Sequence, residues 1–137
     1  MGVQVKIWGC RGSVPAPGPE TVTYGGNTSC IEVMQGDGAA LVLDAGTGIR
    51  ALGLDLVRRG TRQIHLFLTH LHLDHLEGLR FFAPLWNPDV SLEIWGPRSP
   101  VLSTGVSGPA GLCVDDTTAL AWVPDRTDDG DSLHLVL

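Results

Sequence analysis

The sequence predicts an α/β (α+β) fold, and three observations carry that prediction. Apolar and polar residues alternate with period two at the start of the chain, and two further strand patterns flank an Asp-Gly turn signal. A strand then runs through a glycine loop into residues that recur at helical spacing. A further apolar run ends on three histidines and an aspartate within six residues, His70-Leu71-His72-Leu73-Asp74-His75.

Taken in order, Val3-Gln4-Val5-Lys6-Ile7-Trp8 reads as a strand with one buried face. A loop rich in Gly and Pro follows, from Gly9 to about Pro19. Ile31 to Met34 and Ala40 to Leu43 read as strands joined through Gln35-Gly36-Asp37-Gly38, a hairpin signal. After Asp44-Ala45-Gly46-Thr47-Gly48, residues Ile49, Leu52, Leu56 and Val57 lie on one helical face, and Gly60 stops the helix. Ile64 to Thr69 has little polar alternation, as expected of a strand covered on both faces. A second helix is expected from Asp74, acting as its cap, with Leu76, Leu79 and Phe82 inward until Pro84 and Pro88 break it. Val90 to Trp95 is the next strand, closed by Gly96-Pro97. Beyond Ser99 the periodicity weakens: Ser103 to Pro109 reads as loop, Ala119 to Val123 and Leu133 to Leu137 as short apolar runs.

The bulk properties narrow the function. A chain of 137 residues, 43% hydrophobic and 18% charged, is the size of one globular domain. Its net charge of −6 argues against a generally basic nucleic-acid surface, so a polyanionic substrate would need a metal or a few arginines. The charge is uneven. Residues 1–100 sum to −1, whereas 101–137 hold Arg126 against six aspartates and sum to −5, so the composition shifts near position 100. Cys10, Cys30 and Cys113 are too widely spaced for a disulfide framework or a C-x-x-C zinc site and read as free thiols of a reducing compartment. No signal peptide or membrane span is visible, and Lys6 stands where a myristoylation motif after Met1-Gly2 needs Ser or Thr. A soluble cytoplasmic protein without a membrane partner is expected.

The histidine cluster carries the chemistry. Zinc takes imidazole nitrogen and carboxylate oxygen, and a catalytic site needs several such donors converging with a position left for water. In an extended segment His70 and His72 project to the same side, and after a turn Asp74 and His75 can reach a second ion. The pattern H-x-H-x-D-H constrains four positions of six, which a chance surface cluster rarely does. His65 sits inside the preceding strand and reads as a packed or edge histidine, while His134 stands alone in an acidic stretch. A competing signal is Gly46-x-Gly48-x-x-Ala51, which formally matches a nucleotide or S-adenosylmethionine loop opening a helix. The acidic residue such sites want at the end of the next strand is absent there, where Thr69 and His70 stand.

These residues resemble the metallo-β-lactamase superfamily of hydrolases. The H-x-H-x-D-H hallmark stands at His70 to His75, and an aspartate after a strand matches Asp44 in Leu41-Val42-Leu43-Asp44-Ala45-Gly46-Thr47-Gly48. Gly9-Cys10-Arg11-Gly12-Ser13-Val14-Pro15 and Gly25-Gly26-Asn27-Thr28-Ser29-Cys30 look like the branch that includes ribonuclease Z and related phosphodiesterases. The resemblance covers about the first hundred residues. It implies an αββα sandwich with a zinc pair at the sheet edges, His70 and His72 on the first ion, Asp74 and His75 on the second. Asp44 would hold the ligand loop through hydrogen bonds, and Asp74 would position, or take the proton of, the attacking water. Zn2+ is the expected metal, with Mn2+ or Fe compatible with the same donors.

The family draws further ligands from the later half of a longer chain, and residues 101–137 do not resemble those motifs. The expectation is therefore residues 1–100 as the N-terminal part of the fold, followed by an atypical acidic tail at 101–137, with the C-terminal half lacking. Such a chain is expected to be a metal-dependent hydrolase of a phosphodiester, small or nucleotide/RNA, or a related ester, acting through zinc-activated water and inactive if the ligands not visible in its tail are lacking. Alternatively it is a non-catalytic binding module. Half a sandwich leaves an apolar sheet face open to self-association.

Overall fold

The computed structural model describes residues 2–36, 38–97, 111–115, 118–121 and 132–136, the last three spans as backbone. Among the described residues, strands β1 (Val3–Gly9), β2 (Cys30–Gln35), β3 (Ala40–Leu43), β4 (Gln63–Phe67), β5 (Ser91–Pro97), β6 (Gly111–Asp115), β7 (Thr118–Ala121) and β8 (Ser132–Val136) accompany one α-helix, α1 (Ile49–Arg59). Six strands form a mixed sheet in the order β1-β2-β3-β4-β5-β8, and β6 pairs with β7 separately. The steps from β1 to β2 and β2 to β3 are antiparallel, β3 to β4 and β4 to β5 parallel, and β5 to β8 antiparallel. This is the mixed α+β architecture expected, and it forms one layered half of a sandwich. The expected loop at Ser103–Pro109 lies outside the described residues.

Register decides which residues share a face, because directly paired residues project to the same side of a sheet. One row runs Lys6, Glu32, Val42, Leu66, Ile94. This face is covered by α1, whose Ile49, Leu52 and Leu56 meet Val42, Ile64, Leu66, Leu92 and Ile94 in a core fully or almost fully withdrawn from water. Gly60 ends the helix in the left-handed region at φ 69°, its N–H returning to the carbonyls of Leu56 and Val57.

The opposite face carries the row Ile7, Ile31, Leu43, Phe67, Trp95 and, beside it, Val5, Val33 and Leu41. Two sequence expectations are corrected here. The apolar alternation of β1 does mark a strand, but Val3, Val5 and Ile7 stay 59%, 62% and 62% exposed, because pairing with β2 turns them away from α1. The buried side of that edge is instead polar: Trp8 Nε1 donates to Glu32 Oε2 at 3.1 Å, and Arg59 of α1 pairs with the same buried carboxylate. Likewise, among the described residues, β4 is buried on the α1 face and partly exposed on the other. Ile64 and Leu66 are buried while Phe67 is 38% exposed, stacked on Trp95 with ring centroids 6.2 Å apart.

The predicted second helix is the third correction. The chain after His72 makes three separate 3-10 turns, Leu73–His75, Leu79–Phe81 and Ala83–Trp86. Asp74 lies inside the first turn rather than capping a helix, and no side-chain cap is made there. An α-helix from Asp74 would send Asp74 and His75 around a cylinder, whereas the broken path holds both toward the end of β4. Leu79 and Phe82 still reach the core, as expected.

Candidate metal centre

The site lies past the carboxyl ends of the parallel strands β3 and β4, where α/β sheets open crevices between successive loops. Asp44 follows β3 directly and adopts φ 63°, a left-handed conformation that Asp tolerates better than most residues. That turn buries the carboxylate, 4% exposed, beneath the loop that follows β4. It is well supplied with donors. Thr69 N–H and Oγ1–H reach Oδ1 at 2.8 and 2.9 Å, Ser29 Oγ reaches Oδ2 at 3.3 Å, and His75 Nδ1 lies 2.8 Å from Oδ2. Asp44 thus ties the β2 end, the β4 end and the first 3-10 turn together.

A carboxylate only accepts, so His75 carries a proton on Nδ1, and in the neutral ring Nε2 is then the acceptor atom. That nitrogen faces Asp74 Oδ2 at 3.5 Å. On the other side His70 Nε2 faces His72 Nδ1 at 3.1 Å, and the His70 and His75 ring centroids are 4.0 Å apart. The four residues singled out from the sequence are therefore brought together as two facing donor pairs. Acceptor atoms that face one another repel unless a proton or a cation sits between them.

Asp74 has a second partner that the sequence did not disclose. The backbone N–H of Ser13, from the glycine-proline loop after β1, donates to Asp74 Oδ2 at 2.8 Å. This bond, more than any neighbouring charge, holds the Asp74 carboxyl below its usual range, so the side chain is an anion at neutral pH. Ser13 itself adopts φ 76°, and Arg11 Nε on the same loop donates to the Val14 carbonyl at 3.0 Å. Thr69, Ser29 and Ser13 are the supporting residues that pattern reading missed. Only the position of Thr69, immediately before His70 at a strand end, was a usable signal.

The donor set suits a divalent cation in kind: three imidazoles and an ionised carboxylate. Among the described residues, no group of three or more His, Cys, Asp or Glu side chains converges on one ion position. Each pair supplies two of the three or four protein donors zinc takes. His134 lies in β8 opposite Trp95 by backbone register, and its side chain is outside the described residues.

The family model of the metallo-beta-lactamase superfamily matches residues 23–93, just over half of the 137-residue chain, and spans Asp44 and the whole histidine cluster. The chain belongs to the metallo-beta-lactamase superfamily. Its fold is accordingly that of metal-dependent hydrolases, a superfamily that generally binds metal ions. No curated protein and no solved structure gives a significant match. Among the described residues no helix is long and apolar enough to cross a membrane.

The glycine loop is resolved against cofactor binding. A Cβ on Gly46 would lie 2.5 Å from the Asp74 carbonyl oxygen, and one on Gly48 would lie 2.6 Å from that of Trp8. The small residues are needed because protein backbone, not a ligand, approaches them. The amides that would cradle a phosphate are also engaged: Gly46 N–H with Ser29 O, Thr47 N–H with Thr28 Oγ1, and Gly48 N–H with Thr28 O. The nucleotide or S-adenosylmethionine reading of Gly46–Ala51 is corrected to a tight strand-to-helix turn clamped by Thr28. Of the other sequence candidates, His65 pairs with Glu93 at 3.1 Å on the sheet face opposite α1, away from the cluster.

Proposed function

We propose that the chain is a metal-dependent hydrolase acting on a phosphodiester. The observation that carries the reading is the pair of facing donor sets at the end of β4, His70 Nε2 with His72 Nδ1 and His75 Nε2 with Asp74 Oδ2. His70 and His72 would hold one ion, Asp74 and His75 a second, with Zn2+ the expected metal and Mn2+ or Fe able to use the same donors. When bound, such ions supply Lewis acidity toward the scissile group and a water of lowered pKa. The remaining work is the chain's own. Asp44 orients the ligand loop, and Asp74, kept ionised by the Ser13 N–H, orients the attacking water and receives its hydrogen bond. The phosphodiester preference rests on the resemblance of the Gly9–Pro15 and Gly25–Cys30 segments to the ribonuclease Z-like branch. The Ser13 contact supports it, because it joins the Gly9–Pro15 loop to Asp74 of the donor pairs. The free thiols Cys10 and Cys30 suit a reducing compartment, and a cytoplasmic setting is part of the proposal.

Turnover of bis(p-nitrophenyl) phosphate by the full chain tests this. Hydrolysis that requires added zinc or manganese, stops with a chelator, and is lost in His70→Ala/His72→Ala supports it. Metal-independent turnover, or none with either metal, contradicts it. A second reading, a binding module without catalysis, is favoured by the exposed apolar residues of β1. Stable self-association in the absence of any turnover would favour it.

A further inference from the structure

The Thr69 hydroxyl sits between two groups that the proposed metal site needs in fixed states. Its Oγ1 lies 2.9 and 3.0 Å from the two carboxylate oxygens of Asp44 and 3.0 Å from His70 Nδ1. A hydroxyl has one proton to give and lone pairs to accept with. The Asp44 carboxylate has no proton to offer, so the hydroxyl proton goes to Asp44. The only remaining way to make the His70 contact is for Nδ1–H to donate to Oγ1. His70 is thereby held as the Nδ1–H tautomer, the minor form of a free neutral histidine side chain, and its Nε2 lone pair is turned to His72 at 3.1 Å.

We propose that Thr69 is a positioning residue that sets the tautomer of His70, extending Asp44's control from one histidine to two. Asp44 acts on His75 by direct contact and on His70 through the Thr69 hydroxyl. In the neutral rings Nε2 is then the acceptor atom of both, facing His72 in His70 and Asp74 in His75. The inference rests on the proposed metal site for its purpose, but the tautomer itself is a property of the metal-free chain.

The test is imidazole 1H–15N correlation spectroscopy of the metal-free full chain at about pH 8.5, some two units above the usual histidine pKa of about 6.5. Wild type is expected to show the Nδ1–H pattern at both His70 and His75. Thr69→Val, which keeps the shape and removes the hydroxyl, is expected to release His70 toward Nε2–H and leave His75 unchanged. Thr69→Ser is expected to restore the wild-type pattern. Zinc affinity by chelator competition should fall about 10- to 100-fold in Thr69→Val and recover in Thr69→Ser. Should Thr69→Val not fold, Thr69→Ala is read by the same criteria. An Nε2–H pattern at His70 in wild type overturns the proposal. So does a hydroxyl-free variant that keeps Nδ1–H, or one that disturbs both histidines alike. A wild-type chain with the expected tautomers that binds no zinc would refute the metal reading and leave the role of Thr69 standing.

Discussion

Removing the Asp44 carboxylate should cost the metal-free protein a large part of its stability. Asp44→Ala leaves Thr69 N–H and His75 Nδ1–H, both 2.8 Å from carboxylate oxygens, without an acceptor in a site where Asp44 itself is 4% exposed. Hydrogen bonds to a charged group contribute about 1.5–3 kcal/mol each, and these two dominate because the hydroxyls of Thr69 and Ser29 can turn to water. Alanine must also occupy φ 63°, where a Cβ without a polar group costs roughly a further 1 kcal/mol. The sum is about 4–7 kcal/mol, against a typical domain stability of about 5–15 kcal/mol. Asp44→Asn keeps one acceptor oxygen and the tolerance for positive φ, and should lose about 1–2 kcal/mol. Urea denaturation of both variants by linear extrapolation, in the presence of chelator, measures this directly. A value for Asp44→Ala within about 0.5 kcal/mol of wild type, the range of an ordinary surface change, would refute the reasoning.

Three further outcomes are expected. Gly78→Ala should fail to fold or melt far below wild type by circular dichroism, since its Cβ would lie 2.1 Å from the Gly46 carbonyl oxygen; a native-like melt would show that the two loops can separate. The Cys30 thiol, pushed up to about 12 by burial and then by the Asp44 and Glu32 carboxylates, should resist alkylation in the native chain while exposed Cys10 reacts, as peptide mapping would show. The folded form holds that proton where the unfolded thiol, at 9.0, has lost it, so its contribution to stability is complete below pH 9 and declines between pH 9 and about 12. Val5→Lys and Ile7→Lys, at positions each 62% exposed, should reduce dye binding and self-association seen by light scattering, with stability within about 0.5 kcal/mol of wild type.

What could be read from the sequence was whatever rests on local periodicity or on a motif. The helix from Ile49 to Gly60, the β2–β3 hairpin and the ligand cluster are of that kind, since spacing alone puts Leu52 and Leu56 on one face and His70 beside His72. Which side of β1 is buried could not be read, because Val5 and Ile7 have the same alternation whichever face α1 covers. That was decided by register against Val33 and Ile31. The helix expected after Asp74 failed for a related reason. Leu76, Leu79 and Phe82 have helical spacing, but Gly78 packs against Gly46 and Asp74 is drawn to Ser13, so tertiary contacts break the path into 3-10 turns. Asp44 was legible as a residue but not as a hub, because its partners Ser29, Thr69 and His75 come from three places in the chain. Ser13 was invisible as a functional residue, since it acts through a backbone N–H that every residue but proline has.

The metal site proposed at His70, His72, Asp74 and His75 differs from a hydrogen-bonded surface cluster in what it binds. Calorimetric zinc titration of the full chain, beside His70→Ala/His72→Ala and Asp74→Asn/His75→Ala, tests it most directly. Saturable zinc binding is predicted in wild type, weakened at least tenfold in each double variant, a loss of about 1.4 kcal/mol or more. Zinc binding of equal strength in wild type and both variants, or no binding by the wild-type chain, would contradict it.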